Sequence, residues 1–478
     1  MVARPCVEYL VRDSKNHVTV ACRTLSTAQG LASNLPQTKA ISLDVSNSAD
    51  LEKAIRDHEL VISLVPYVYH AAVMKLAIKY KINAVTASYV SPAIRELEAA
   101  AKEAGIVILN EVGVDPGVDH LYAIKKIGEV HAQGGKVKEF YSYCGGLRFF
   151  VLHWPIVPMF LQIGSPKAVS RGSRAPPKRK LLIQGNTTAA LECANNPLGF
   201  KFSWSPRGAI MSQMNSASFI LNGKRVDIAA KDLMSHAEPL IIQEGYDFVA
   251  YPNRDSVPFR EFYKIPEAET VVRGSLRYEG NPAFIKAFAD AGWLDAEEKQ
   301  WLKPGITWAE ITQRVIGAAD TSEISLVAGT KEKCKFPSEA ESDRIASGMR
   351  YFGLFSSEEA TIRGCNLLDT LCGQLETLLS FQPGERDLVM LQHKFVVEWE
   401  DGKRDTFTST LELLGDPKGY SGMSKSVGVT CGIATQLLLD GHPALNTPGI
   451  VAPYEEAMCD PIRKLLELEG IKMVERKL

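Results

Sequence analysis

No two cysteines in this sequence are spaced as C-x-x-C. The nine present (Cys6, Cys22, Cys144, Cys193, Cys334, Cys365, Cys372, Cys431 and Cys459) are odd in number and scattered. That pattern argues against a disulfide framework and a zinc site, and it suits a reducing compartment. An excess of charge is lacking too. Lys and Arg total 54 against 56 Asp and Glu, a net charge of -2, so nothing electrostatic points to nucleic acid or an anionic membrane as partner. No apolar run reaches the length of a membrane span, and the nearest, "RFFVLHWPIVPMFLQIG" (148–164), is broken by proline. No secretory leader pattern opens the chain, and the ending Glu475-Arg476-Lys477-Leu478 lacks the small residue of a peroxisomal signal. The expected compartment is the cytoplasm. What remains is an ordinary soluble composition, 45% hydrophobic and 23% charged over 478 residues, enough for two or three domains with their own cores.

The first 120 residues alternate. "VTVAC" (Val18–Cys22), "AISLDV" (Ala40–Val45), "LVISLV" (Leu60–Val65), "NAVTAS" (Asn83–Ser88) and "GIVILNE" (Gly105–Glu111) are short apolar runs, as for strands buried on both faces. Helical stretches separate them, the clearest being "SPAIRELEAAAKEAG", with Ser91 as N-cap, Pro92 at the first position and Gly105 as the stop. This spacing predicts a parallel, Rossmann-like doubly wound sheet that takes its ligand off the carboxyl ends of the strands. The residues at those exits are Arg23 and Thr24, Asp44, Pro66 and Tyr67, Ser88 and Tyr89, and the stretch after Glu111. An Arg rather than an acid after the second strand of such a sheet suits a 2′-phosphate, hence NADP. No G-x-G-x-x-G precedes that strand, and "ARPCVEYLVRDSKN" reads as the helix that should follow it. The expectation is a chain that opens inside the motif, its first strand and pyrophosphate loop lost to a start placed one exon late.

Beyond residue 120 the pattern changes. "KVKEFYSYCGGL", "FVAYPNRDS" and "VVRGSLRYEG" are strands with polar exits, and "HKFVVEWEDGKRDTFTSTLEL" (His393–Leu413) is a hairpin around Asp401-Gly402. Between them, Pro282 to Ser380 reads as helical, with capping-box spacings at Asp295/Glu298 and Thr307/Glu310. The expected layout is a dinucleotide-binding domain over 1–120 completed by 421–478, a mixed-sheet α/β domain over 121–281 and 381–420, and an all-helical insert over 282–380.

The segments "VTVACRTL", "ISLDV", "LVISLVPY", "TASYVSP", "NEVGVDPGVDHLYAI", "YSYCGGL", "NPLGFKFSWSPRG", "AYPNRDS", "VRGSLRY" and "GERDLVMLQHKF", in this order, resemble the saccharopine reductase family. These are the glutamate-forming, NADP-dependent saccharopine dehydrogenases of fungal lysine biosynthesis. The resemblance implies that L-glutamate condenses with 2-aminoadipate 6-semialdehyde and that NADPH reduces the imine to saccharopine, in a homodimer. It further implies NADP(H) contacts from Cys22, Arg23, Thr24, Asp44, Val45, Ser88, Val114, Asp115, Pro116 and Ser205. Substrate contacts are implied for Ser88, Tyr89, Asn253, Ser275, Leu276 and Arg277. Saccharopine carries carboxylates and an ammonium, so Arg254 is the natural carboxylate clamp and Asp115 the natural ammonium partner. Asp115, Cys144 and Tyr89 are the candidates for proton transfer, and the residue types do not choose among them. His70, Asp119 and His120 are expected to be structural, and no metal is expected.

The stretch from Arg148 to Leu191 departs from the family, which passes there almost directly from "YCGGL" to "NPLG". Its expected nature is a retained intron with no packed core of its own, a surface insertion being the alternative. Two other functions stay open at this point: an imine-reducing relative such as a homospermidine-type synthase, and a non-catalytic homologue without cofactor.

Overall fold

The structure is a computed structural model, and it describes residues 2–148, 196–202, 205–242, 246 and 248–478. The expected insertion beyond Arg148 and the thiol of Cys193 lie outside the described residues.

The amino-terminal part alternates as the apolar runs dictate: α1 (Ala3–Leu10), β1 (Val18–Cys22), α2 (Leu25–Ala32), β2 (Thr38–Ser42), α3 (Ser48–Ile55), β3 (Leu60–Ile62), α4 (His70–Tyr80), β4 (Asn83–Val85), α5 (Pro92–Arg95), α6 (Glu98–Ala104) and β5 (Val107–Leu109). Next come α7 (Val118–Ala132), β6 (Lys136–Arg148), α8 (Pro206–Ser212), β7 (Ala217–Leu221), β8 (Lys224–Ile228), β9 (Glu238–Leu240), β10 (Phe248–Pro252), α9 (Phe259–Phe262) and β11 (Thr270–Tyr278). Five helices follow: α10 (Asn281–Ala291), α11 (Trp308–Ile316), α12 (Glu323–Cys334), α13 (Glu339–Tyr351) and α14 (Leu367–Leu379). The chain closes with β12 (Asp387–Glu398), β13 (Arg404–Leu414), α15 (Gly422–Leu439), β14 (Gly449–Val451), α16 (Glu456–Leu468) and β15 (Val474–Lys477).

The architecture is α/β, as expected, but the parallel strands form two sheets instead of one. β1 pairs with β2, and β14-β5-β4-β3 pair separately, all in parallel. Among the described residues no strand bonds to the edge of β3 facing β1. A side-chain bond between His58 Nε2 and Thr19 Oγ1 (2.9 Å) links the two groups instead. α1 lies against α15, where Gly428 and Gly432 permit close approach. A Cβ at Gly428 would come 2.4 Å from the Val2 carbonyl oxygen.

The third sheet is mixed and has nine strands among the described residues. Its path is β15-β13-β12-β6-β11-β10-β9, with β7 on β11 and β8 on β7. β12 and β13 make the expected hairpin, closed by Gly402 at φ +78°. β15 belongs here too, antiparallel to β13, although the stretch 421–478 was expected to complete the dinucleotide domain. Backbone pairing of Val474–Lys477 with residues 407–410 holds it there, and Glu475 on β15 also accepts bonds from Lys125 (2.6 Å) and Lys126 (3.0 Å) of α7. α14 and the preceding helices pack around Trp293, Phe284, Phe288 and Phe352, a core separate from that under α7.

Of the two capping boxes expected, the Thr307/Glu310 box forms, with both reciprocal bonds to α11. Asp295 starts no helix and pairs with Lys299 instead (2.7 Å). Thr307→Ala is expected to cost about 1 kcal/mol, the usual worth of an N-cap, measured as a lowered denaturation midpoint.

One row of the mixed sheet is polar. Arg273, Ser142, His393 and Ser409 stand side by side on β11, β6, β12 and β13, and Glu475 extends the row on β15. The first four are buried, and Ser142 Oγ, Ser409 Oγ and both His393 ring nitrogens have no hydrogen-bond partner among the described residues.

Candidate active site

Two exits of the parallel strands, those of β4 and β5, converge on the amino-terminal end of α7. After β4 come Ser88 and Tyr89. After β5 the chain turns through Glu111 to Gly117, with a cis Asp115–Pro116 peptide and Gly117 at φ +146°. Only glycine suits Gly117, because a Cβ there would lie 2.1 Å from the Gly113 carbonyl oxygen. The turn aims Asp115 at the mixed sheet, and the Gly117 N–H donates to Asp119 Oδ1 (2.6 Å).

Here the two parts of the molecule meet in a buried charged cluster. The Tyr89 hydroxyl donates to Asp115 Oδ1 (2.5 Å), and Arg273 Nη2 donates to the same oxygen (2.6 Å) and to the Tyr89 oxygen (3.1 Å). Arg273 also donates to Asp119 Oδ2 and stacks over Phe259 at 4.0 Å. Its side chain is 4% exposed, those of Asp115 and Asp119 9% and 0%. Arg254, at φ +49°, lies over the Tyr89 ring at 5.2 Å. Asn253 Nδ2 donates to Ser275 Oγ (3.0 Å), and its N–H donates to the Arg273 carbonyl (2.9 Å).

Behind this first group stands a second. His120 Nε2 is 2.9 Å from Glu111 Oε2 and His120 Nδ1 is 2.7 Å from the Tyr263 hydroxyl, while the Tyr454 hydroxyl donates to Glu111 Oε2 (2.7 Å). Asp119 and His120 were expected to be structural. They are fully buried, and Asp119 bonds Arg273 directly, so it belongs to the site.

The environment sorts the candidate proton-transfer groups. Burial pushes the Asp115 carboxyl above its ordinary value against the pull of Arg273, and the Asp119 carboxylate adds to the rise. Burial also raises Asp119, yet His120, Arg273 and the Gly117 N–H outweigh it and hold that carboxyl below its ordinary value. Burial lifts the Tyr89 phenol and the Cys144 thiol far up, so both keep their protons at neutral pH. Cys144 is therefore no thiolate nucleophile. Of the three, Asp115 is the one that burial moves towards neutrality and not away from it.

The cofactor candidates lie at the strand exits. Arg23 is exposed, and among the described residues its guanidinium makes no hydrogen bond, which leaves it free to take a phosphate. The Arg23 carbonyl accepts from Ser42 Oγ (2.8 Å), which fixes the turn next to Thr24. Cys22 ends β1. Asp44 and Val45 fall just past β2, which is shifted towards the amino terminus from the run expected, and Asp44 is engaged with Ser46 (2.7 Å). Val114 and Pro116 flank Asp115 and are buried. Ser205 caps α8 through the Gly208 N–H (3.2 Å) on the mixed-sheet side, and among the described residues no hydrogen bond joins it to the other cofactor candidates. Leu276 is buried in β11, and Arg277 turns onto the Leu276 carbonyl (2.7 Å) and over Phe200.

The sequence reading missed Arg273, Glu111, Tyr263 and Tyr454. A signal existed for Arg273, a charge directly after two valines in a strand that is buried along most of its length. Glu111 carried none, since its side chain turns inward only because the backbone there is left-handed (φ +63°).

A parallel α/β sheet whose exits meet a mixed sheet at a buried arginine–carboxylate cluster is the plan of a dinucleotide-dependent oxidoreductase. The saccharopine dehydrogenase NADP binding domain matches residues 1–109, and the saccharopine dehydrogenase C-terminal domain matches 113–471. The saccharopine dehydrogenase [NADP(+), L-glutamate-forming] of Schizosaccharomyces pombe is 48% identical over 477 residues, covering 99% of this chain and 96% of that protein. The Saccharomyces cerevisiae protein of the same name is 44% identical over 476 residues. Its apo structure superposes with a TM-score of 0.80, covering 100% of this chain and 97% of that one. The mitochondrial alpha-aminoadipic semialdehyde synthase of Bos taurus is 30% identical over 475 residues, but these make up only 46% of its length. A homospermidine synthase from Legionella pneumophila solved with NAD shares the fold alone, at 8% identity and a TM-score of 0.51. The chain belongs to the saccharopine dehydrogenase family, in its NADP-dependent, L-glutamate-forming branch.

Proposed function

We propose that this chain interconverts saccharopine with L-glutamate and 2-aminoadipate 6-semialdehyde, using NADP(H), in lysine biosynthesis. The observation that carries the reading is the Tyr89–Asp115–Arg273–Asp119 cluster at the mouth of an NADP-type sheet. Bound NADPH supplies the hydride that reduces the imine carbon. The protein's residues bind, orient and move the proton. Two carboxylates around one guanidinium leave the cluster with a net negative bias, which favours the ammonium and secondary amine of saccharopine. Asp115, hydrogen-bonded to Tyr89, exchanges the proton of the reacting nitrogen. Arg254, stacked on Tyr89, clamps a carboxylate, with Ser88, Asn253, Ser275 and Arg277 completing the substrate wall beside Leu276. Cys144 stays a neutral thiol beside Asp115.

For the cofactor, Arg23 and Thr24 hold the 2′-phosphate at the β1 exit beside Cys22. Asp44 and Val45 lie against the adenosine end, Ser88 with Val114 to Pro116 against the nicotinamide end, and Ser205 closes over it. In domain terms, 1–120 with α15 and β14 forms the dinucleotide unit. The stretches 121–281 and 381–420, joined by β15, form the substrate unit, with 282–380 inserted in it. We take the protein to be a cytoplasmic homodimer, in line with the family resemblance. Among the described residues no helix is long and apolar enough to cross a membrane.

The test is saccharopine-dependent reduction of NADP by the purified chain, followed by NADPH absorbance. Turnover with saccharopine and none with a polyamine is expected, and a folded protein active only on the polyamine would overturn the reading. Arg23→Ala is expected to raise the KM for NADPH about 10- to 100-fold, the worth of a charged hydrogen-bonded contact of roughly 1.5–3 kcal/mol, with the KM for NADH unchanged. Equal effects on both coenzymes would remove Arg23 from the phosphate site.

A further inference from the structure

His70 has no part in the reading above, yet it is built into the cofactor sheet. It opens α4, is 2% exposed, and its ring bridges the exits of two neighbouring strands. Ser63 Oγ, one residue past β3, is 2.7 Å from His70 Nδ1, and Ser88 Oγ, three past β4, is 3.0 Å from Nε2. Both serines are fixed through their backbones. The Ser63 N–H donates to the Val85 carbonyl (2.8 Å), the Ser88 N–H to Thr86 Oγ1 (3.3 Å), and the Ser88 carbonyl accepts from the Glu111 N–H (3.2 Å). The bridge is therefore rigid at both ends.

We infer that His70 is a positioning residue that fixes the polarity of the Ser88 hydroxyl, turning its proton into the cleft as a donor for an oxygen acceptor of a bound ligand. Burial drives the His70 pKa down to about 4, so the ring is neutral at physiological pH. A neutral imidazole has one N–H and one lone pair, so it must donate to one serine and accept from the other. Ser63 decides which. It is 3% exposed, and among the described residues its hydroxyl has no partner besides His70. If it accepted from Nδ1–H, its own proton would be buried without an acceptor, the costlier arrangement. It therefore donates to Nδ1, and the proton of the ring sits on Nε2. Nε2–H then donates to Ser88 Oγ, and the Ser88 proton has nowhere to go but outward. A group that presents an O–H to a cleft selects an acceptor, which here is a carboxylate oxygen of the substrate or the carboxamide oxygen of the cofactor. Only the identity of that ligand rests on the function proposed above.

The experiment has a readout that needs no turnover. Nitrogen-15 NMR of the histidine rings in the resting protein, with His70 identified by the signal lost in His70→Phe, is expected to show a protonated Nε2 and a bare Nδ1 at neutral pH. Ser63→Ala removes the selecting donor and is expected to shift the population toward Nδ1–H. A wild-type ring protonated at Nδ1, or a tautomer indifferent to Ser63→Ala, would overturn the inference, and Ser63→Ala keeps the test alive should His70→Phe fail to fold. Two further arms locate the acceptor. A roughly tenfold loss of NADPH binding in His70→Phe, by fluorescence titration without substrate, assigns it to the cofactor. A similar rise in the KM for saccharopine with NADPH binding intact assigns it to a substrate carboxylate. In either case His70→Gln, whose amide can donate to Ser88, restores most of the loss, and a folded His70→Phe unchanged in both would overturn the inference. A chain inactive on saccharopine that still shows the Nε2–H tautomer and its Ser63 dependence would sink the proposed function and leave this one standing.

Discussion

Replacing Arg273 with methionine is expected to abolish measurable turnover and to cost about 3–5 kcal/mol of stability, the range for stripping one partner from a buried ion pair. The guanidinium is nearly sealed from solvent and bonds Asp115, Asp119 and the Tyr89 oxygen. Methionine fills a similar volume and keeps contact with Phe259, so the loss reflects charge and not a cavity. Without Arg273, two carboxylates face each other in a low dielectric, and one must take up a proton to stay buried. Asp115, already raised by burial, is the one that does so. Protonated, it no longer attracts the ammonium group or accepts the proton of the reacting nitrogen. Arg273→Lys keeps the charge but reaches fewer acceptors, and is expected to retain part of the stability and less of the activity. The check is a denaturant midpoint beside an NADP-reduction assay. A methionine variant that unfolds at the wild-type midpoint would show that the cluster holds no net stabilising charge.

The exits of the parallel strands were legible because short β-branched runs end where the polar residues begin, and Arg23, Ser88, Tyr89 and Asp115 all stand at such ends. What lies across the cleft was harder to see. Arg273 sits in a strand with Val271 and Val272 before it and Leu276 after it, and its partners Asp115 and Asp119 are more than 150 residues earlier in the chain. Only folding puts them in one pocket. Asp119 and His120 were legible as residues but not as a pair, because helix spacing alone does not say which faces what. The separation of β1–β2 from β3 was likewise invisible, since apolar alternation reports burial and not which edges are bonded. Local chemistry was read better when it was self-contained. Thr307 and Glu310 cap each other within a single turn, whereas the helix expected after Ser91 breaks near Leu97 into α5 and α6, a detail set by packing on Ile94 and Ala101.

Acid should unfold this protein by way of its buried histidines before its carboxylates. The His70 pKa falls from 6.5 to about 4 on folding, and that of His393 from 6.5 to about 3, both because burial disfavours the charged ring. The groups facing His393 are Asp119 and Glu475, which favour its charge, and Arg273 and His120, which oppose it. A folded-state pKa below the unfolded one means that the neutral ring belongs to the fold. Above pH 6.5 both states leave the rings neutral and nothing is lost. Below it the unfolded chain binds protons that the folded chain refuses, and stability drops by about 1.4 kcal/mol per pH unit for each histidine. His70 alone then costs about 3 kcal/mol by the time its folded pKa is reached. Asp115 and Asp387, raised by burial, push the other way as pH falls from their raised folded values to the ordinary carboxylate range, where Glu111 and Asp119, held low, add to the loss. His393→Phe isolates one share of the slope. Neither ring nitrogen of His393 has a partner among the described residues, and Phe140 and Phe395 already flank it, so phenylalanine enters an aromatic setting. The variant is expected to match or exceed wild type at neutral pH, and its denaturation midpoint should fall less steeply between pH 6.5 and 4. Parallel curves for the two proteins would mean that His393 is charged in the fold or already free to exchange its proton, and the buried polar row would then have to be open to solvent.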